Sequence, residues 1–353
     1  MKKSALIAAV ALALGVSATA QAAIFDPDGA GGANGPVNIG ALDWGPTSIL
    51  SQGANTAIGA FATGACSVVN TACQFNLFTH ATLVGLIDAN GNPLSNPTGL
   101  NSTFEITMIA MFREVVTGVS TLPNGNTIAT FATVPTVPGF LQMFYDTTPD
   151  SVALTGRGYN DGRLILNGNT VGNSSSFFTV TSTTPVNLDQ SGANDYTGQF
   201  TVTGTGSSTN IPVNSLTTDP TFFVSPLNTF GVQFANISIG LPFVSVDPSD
   251  CFTIAPQAPV IGLTTPLPTG CSSVHVNGTY LANTGELPPG YVPVTGSING
   301  FSPIPPTGGP DFVAQTDFNS PLSSVPEPTS LALFGLGLGL AGFFGSLRRR
   351  LFS

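Results

Sequence analysis

The sequence predicts an all-β body, an antiparallel β-sandwich-like fold. It is carried between an N-terminal signal peptide and a Pro-rich spacer that leads to a single C-terminal transmembrane helix. Three observations support that reading. Short runs rich in Thr, Val, Phe and Ile recur along the chain, as half-buried pleated surfaces prefer. Gly, Asn and Pro turns separate them. No segment between the N-terminal leader and Leu331 has a convincing apolar stripe of helical period.

The chain opens with a positive pair, Lys2-Lys3, an apolar core from Ala5 to Val16, and the small-x-small exit Ala20-Gln21-Ala22. That order is a secretory signal peptide over residues 1–22, with the mature chain starting at Ala23. Residues 23–40 are rich in Gly, Asn and Pro and read as a flexible leader. Asp26 to Gly35 alternates Asp and Gly like the start of a calcium loop, but no glutamate closes it as an EF-hand needs, so turns are expected instead. Asp88-Ala-Asn-Gly-Asn92 reads as a tight turn for the same reason.

The β-rich body is expected over residues 41–284. In Thr103–Val116 the period of two sets Phe104, Ile106, Met108, Ala110 and Phe112 on one face. Further strands are expected at 140–145, 164–166, 177–183, 196–205, 222–225, 229–238 and around Val274–Tyr280. Pro123-Asn-Gly, Asn160-Asp-Gly and Asn167-Gly-Asn supply turn chemistry, with Asn160-Asp161-Gly162 the clearest hairpin candidate. Prolines then become dense, and residues 285–324 read as an extended spacer holding the body clear of the membrane.

The tail, residues 325–353, has three parts in order. Pro326-Glu327-Pro328 is a rigid polar break, Leu331–Leu347 is uncharged and apolar, and Arg348-Arg349-Arg350 closes the run. Seventeen helical residues span roughly 25 Å, enough to cross a hydrocarbon core with local thinning. A buried core helix is the competing reading. The arginine cluster and the preceding proline break favour a membrane helix with a cytoplasmic stop-transfer.

Composition excludes some partners. Between Ala23 and Val325 stand seventeen acids against Arg113, Arg157 and Arg163, a net of fourteen negative charges. With no basic footprint, nucleic acid is not a partner. Anionic membranes and polysaccharides are repelled unless divalent cations bridge them. The four cysteines, Cys66, Cys73, Cys251 and Cys271, point to disulfides in an exported chain. The local pairs Cys66–Cys73 and Cys251–Cys271 are the simplest of three pairings. Zinc is the alternative, but the spacings lack the paired Cys-x-x-Cys form, so no metal is expected.

Catalytic motifs are missing: there is no Gly-x-Ser-x-Gly elbow, His-Glu-x-x-His, phosphate loop or dinucleotide fingerprint. His80 and His275 are the only bases for a triad. Asp146 with Asp150, or Asp247 with Asp250, are the available glycosidase pairs, each in a turn-like context. Trp44 and the phenylalanines offer a sugar platform if exposed. No catalytic residue or cofactor is expected.

The order Val-Pro-Glu-Pro, apolar helix and arginine cluster closely resembles the C-terminal sorting domain of bacterial PEP-CTERM proteins. In that family the tail is read by exosortase, a membrane enzyme thought to cut near Pro-Glu-Pro. The resemblance implies an exported protein, anchored transiently in the inner membrane and then moved to the cell surface or matrix. Within the body, Gly40-Ala-Leu-Asp-Trp-Gly-Pro, Asn160-Asp-Gly-Arg-Leu-Ile-Leu and the stretch from Leu188 through Asn194-Asp-Tyr-Thr-Gly are similar to segments of flocculation-associated PEP-CTERM proteins. That similarity implies a role in cell aggregation, floc or biofilm formation, with exopolysaccharide or other surface proteins as partners. A secreted polysaccharide hydrolase and a non-catalytic carbohydrate-binding module are the alternatives.

Overall fold

In the computed structural model, residues 22–324 are described apart from 30–31, 66–70, 137–138, 152–157, 171, 173, 188–199 and 239–311. The strands are β1 (Ala23–Phe25), β2 (Val37–Ile39), β3 (Ala41–Gln52), β4 (Gln74–Ile87), β5 (Glu105–Thr121), β6 (Thr127–Thr133), β7 (Gly139–Asp146), β8 (Arg163–Thr170), β9 (Ser175–Asn187), β10 (Phe200–Ser208), β11 (Ile211–Thr218), β12 (Leu227–Ser238) and β13 (Phe312–Ser324). The body is all-β, as the sequence predicts.

β1 and β2 make a small two-stranded sheet. The other eleven strands form one antiparallel sheet in the order β10-β9-β6-β5-β4-β3-β13-β12-β11-β8-β7, and extra pairings of β5 with β7 and β10 with β12 close it. The outcome is a sandwich shut along both sides. One layer is β5-β4-β3-β13-β12; the other is split into a β7-β8-β11 half and a β6-β9-β10 half. Long strands make the split possible. β5 pairs with β7 through Glu105–Met111 and with β6 through Glu114–Thr121. β12 meets β11 at Gly231 and Val232, and β10 at Ile237 and Ser238. Each of the eleven strands therefore has a neighbour on both sides, which removes the open edges that invite aggregation.

The inward face of β5 is the one the sequence pattern gives: Phe104, Ile106, Met108, Ala110 and Phe112 are all buried. They meet Trp44, Leu83, Leu141, Phe234 and Phe318 in a single core. β3 carries one extra residue between Trp44 and Ile49, whose partners on β4 are Leu83 and Thr79. Pro46 sits in that bulge, where a residue without an N–H donor does least harm to the ladder.

Several expectations are corrected. Residues 23–40 are not simply a flexible leader: β1 and β2 lie within them, and Ala23, Phe25 and Ile39 are buried. The spacer does not extend to Ser324, because Phe312–Ser324 is β13, hydrogen-bonded between β3 and β12 in the middle of a layer. Its sequence, Phe-Val-Ala-Gln-Thr-Asp-Phe-Asn-Ser-Pro-Leu-Ser-Ser, lies beside dense prolines that hide its strand character. A helix absent from the sequence reading, α1 (Ala54–Ala62), follows β3. Its inner stripe of Ala54, Ala57, Ile58 and Phe61 has helical spacing. With nine residues, two of its four core contacts alanine and a glycine inside, the signal is faint. Asn167-Gly-Asn lies inside β8 rather than in a turn. Asn160-Asp-Gly ends a long connection rather than a tight hairpin, since β7 finishes at Asp146 and β8 starts at Arg163. The expected strand 222–225 is a turn that bridges β1 through Phe223 and Phe25. The expected strand 274–280 lies outside the described residues, as does the transmembrane segment 331–347.

Candidate functional site

Three places in the molecule have functional content: the pole where the described chain begins and ends, an acidic connection on the outer face, and a cavity in the β6-β9-β10 half.

β1 begins at Ala23, immediately after the expected cleavage point, and β13 ends at Ser324, two residues before Pro326. These junctions are in contact: Ser324 Oγ donates to the Ala22 carbonyl at 3.0 Å. The first described residue, Ala22, and the last, Ser324, therefore lie together at one pole of the body. Of the expected processing residues, Ala22 and Ala23 are described, and Ala23 is buried against β2. Ala20, Pro326, Glu327, Pro328, Arg348, Arg349 and Arg350 lie outside the described residues.

The described parts of the connection from β7 to β8, residues 147–151 and 158–162, form a strap against the outer face of β4 and β5. Tyr159 packs on the His80 ring with centroids 4.1 Å apart, and the Tyr159 carbonyl accepts from Thr107 Oγ1 at 3.0 Å. Burial raises the Tyr159 phenol far above its ordinary range. Glu105 anchors the strap by accepting from the backbone N–H of Asp150 at 2.9 Å and of Ser151 at 3.0 Å, and from the Ser151 hydroxyl. Burial raises the Glu105 carboxyl, while those hydrogen bonds oppose the rise.

The strap brings Asp146 and Asp150, a pair noted in the sequence, beside Asp161, with a carboxylate oxygen of each within 4.8 Å of the others. Such a trio is the one place among the described residues where carboxylates gather as metal ligands would. For glycoside hydrolysis the two carboxyls must flank a substrate cleft; Asp146 instead ends β7, and Asp150 and Asp161 sit on the connection that follows. Asp247, Asp250 and His275 lie outside the described residues. His80 is wholly buried.

Other candidates serve the fold. The carboxylate of Asp26 accepts from the Gly29 N–H at 3.2 Å, and that of Asp28 from Asn34 N at 2.9 Å, so this Asp/Gly run folds as turns. Asp88 likewise accepts from the N–H groups of Asn90 and Asn92, each at 2.8 Å, and these bonds hold its carboxyl below the usual range. Trp44 is not a sugar platform. It has no exposed surface, donates Nε1–H to Ser320 Oγ at 2.9 Å, and stacks on Phe318. Cys73 is buried beside Val115 and Val134. Cys66, Cys251 and Cys271 lie outside the described residues, so the pairing of the four stands as a proposal.

The cavity is a feature that sequence reading missed. It has a volume of about 270 Å³ between the two layers, with α1 at its rim. Thr127, Ala129 and Phe131 of β6 face it together with their partners Val180, Phe178 and Ser176 of β9. Glu114 of β5 is the only ionisable group in its lining among the described residues. It is 3% exposed and accepts from Ser176 Oγ at 2.8 Å. Burial pushes its carboxyl up to about 7, against the opposing effect of that hydrogen bond. A signal was present in the sequence, because Glu114 continues the inward register of Ile106, Met108, Ala110 and Phe112.

With this geometry in place, the comparison with known families is specific for the tail. Residues 324–350 match the PEP-CTERM protein-sorting motif. The chain therefore carries the tail of an exosortase-sorted, exported protein. No curated protein and no solved structure matches it.

Proposed function

We propose that this exported protein promotes cell aggregation, in flocs or biofilm, by acting at the cell surface or in the matrix together with exopolysaccharide or other surface proteins. The observation that carries the proposal is the attachment of the sorting tail directly to β13, a strand central to its layer. Processing near Pro326-Glu327-Pro328 would leave the closed sandwich intact, so the body reaches the exterior as a finished unit. Its acidic surface suits cation-bridged contact with an anionic matrix. Exosortase is the processing partner, and disulfides Cys66–Cys73 and Cys251–Cys271 suit the exterior.

Two alternatives have less in their favour. An aromatic platform would mark a carbohydrate-binding module, yet the exposed large hydrophobics among the described residues are Val84, Phe177 and Val224, which form no aromatic row. A hydrolase would need a cleft around its carboxylates.

The test is deletion of the gene in its host, with exopolysaccharide measured alongside flocs. Loss of flocs at unchanged polysaccharide, restored by the intact gene but not by one lacking residues 325–353, is expected. Undiminished flocs would overturn the proposal.

A further inference from the structure

We propose that the cavity lined by Glu114, Ala129 and Phe131 is a binding site for a small uncharged apolar molecule bearing one hydroxyl group, with Glu114 as its polar anchor. This goes beyond the aggregation role and does not depend on it.

Size is the first argument. An apolar cavity of roughly 150 Å³ takes up benzene, and this one is about 270 Å³. Scaling by volume gives a ligand of about ten to twelve heavy atoms.

Shape and access come next. Aromatic edges wall the cavity, with Phe75 against Phe131 at 5.3 Å and Phe178 against Phe312 at 4.7 Å between centroids. The rim includes Thr127, which is exposed, and Phe177, one of the few large apolar side chains at the surface. A ligand thus has an apolar threshold to cross rather than a sealed wall.

Polarity selects the head group. A carboxyl facing a mainly apolar void, whose other polar lining is Ser51, Asn55, Thr127 and Ser176, is not needed to fill space, and Ser176 uses only part of the carboxyl's hydrogen-bonding capacity. Apolar pockets commonly use one such convergent polar group to orient a ligand. A hydroxyl can donate to the carboxylate or accept from the carboxylic acid, so it satisfies Glu114 in either state. A cationic head would have to lose its hydration to form a buried ion pair.

The test uses the exported protein titrated with 2-naphthol and with its methyl isostere, 2-methylnaphthalene, following ligand fluorescence. Wild type is expected to prefer the naphthol by about ten-fold, the worth of one buried hydrogen bond. Glu114→Leu should reduce that preference to within about three-fold. Ala129→Phe, which fills the void, and Thr127→Trp, which crowds the rim from an exposed position, should each abolish binding of both probes. Thermal unfolding of each variant establishes that it is folded, and Thr127→Trp decides the matter if Ala129→Phe is not. Absence of naphthol binding to wild type would overturn the site. So would binding that survives in the folded blocking variants, because the probe would then lie elsewhere. Equal affinity of wild type for the two probes would overturn the role given to Glu114.

Discussion

The two halves of the split layer close the same sandwich with different materials. In the β7-β8-β11 half, Leu141, Met143, Leu166 and Val213 fill the space to the facing layer and are buried. The β6-β9-β10 half is built mainly from Thr, Ser, Ala and Gly. Its strands lie close together: a Cβ on Gly204 would fall 2.3 Å from the Phe178 ring, and one on Gly206 would fall 2.2 Å from the Phe177 carbonyl oxygen. Tight lateral packing combined with small side chains leaves the gap beneath unfilled. Closing a β-sandwich and filling it are separate problems, and this chain solves the second in only one half.

The largest expected effects test that contrast at fixed chemistry. Leu141→Ala, in the filled half, is expected to cost about 4–5 kcal/mol, and Leu77→Ala, which lines the cavity, about 2–3 kcal/mol, because a side chain already facing a void has fewer contacts to lose. Chemical unfolding of both variants measures the difference. Equal costs would mean that the cavity is filled in solution or that both sites relax alike.

A second prediction concerns the charge buried in the poorly filled half. The carboxyl of Glu114 titrates near 7 when folded, against 4.5 for an ordinary glutamate. The folded state therefore holds its proton over a pH range where the unfolded chain has released it. Stability is greatest, as far as this group is concerned, below pH 4.5 and declines as pH rises toward 7. Above that the accumulated penalty is on the order of 3 kcal/mol. Glu114→Gln should remove this slope and stabilise the protein at pH 8 by a comparable amount while changing little at pH 4. A variant with the wild-type slope would place the titrating group elsewhere.

How much of this was legible in the sequence follows from the reach of each signal. Alternation identified β5 and the inward set from Phe104 to Phe112, because every second residue there is apolar; the burial of Glu105, Thr107 and Ile109 on the opposite face left no such mark. The sorting tail was legible because its composition is unlike that of the body. β13 was hidden by neighbouring prolines, and its place between β3 and β12 is a long-range fact that no local window contains. The strap was unreadable for the same reason: Glu105 meets Ser151 across 46 positions. The cavity is harder still, since a void is a deficit summed over β3, β4, β5, β6, β9, β12, β13 and α1 rather than the property of a residue.

The smallest effect is expected at Arg163, on the filled half. Its guanidinium pairs with Asp219 and lies over the Phe222 ring at 5.4 Å from the centroid. Burial alone would raise the Asp219 carboxyl, but hydrogen bonds from the Thr221 hydroxyl at 2.6 Å and backbone N–H at 3.0 Å, together with Arg163, hold it below the ordinary value. The Arg163 side chain is 56% exposed, so water screens the pair. Arg163→Gln should therefore cost within about 1 kcal/mol at pH 7. A depressed carboxylate contributes stability above the ordinary pKa of 3.8 and loses it as pH falls through the folded value. The variant should retain a shallower version of that acid limb, because both Thr221 bonds survive the substitution. An unfolding series from pH 5 down to pH 2 reads the limb directly, and its complete loss would assign the whole depression to the arginine rather than to the turn that Asp219 caps.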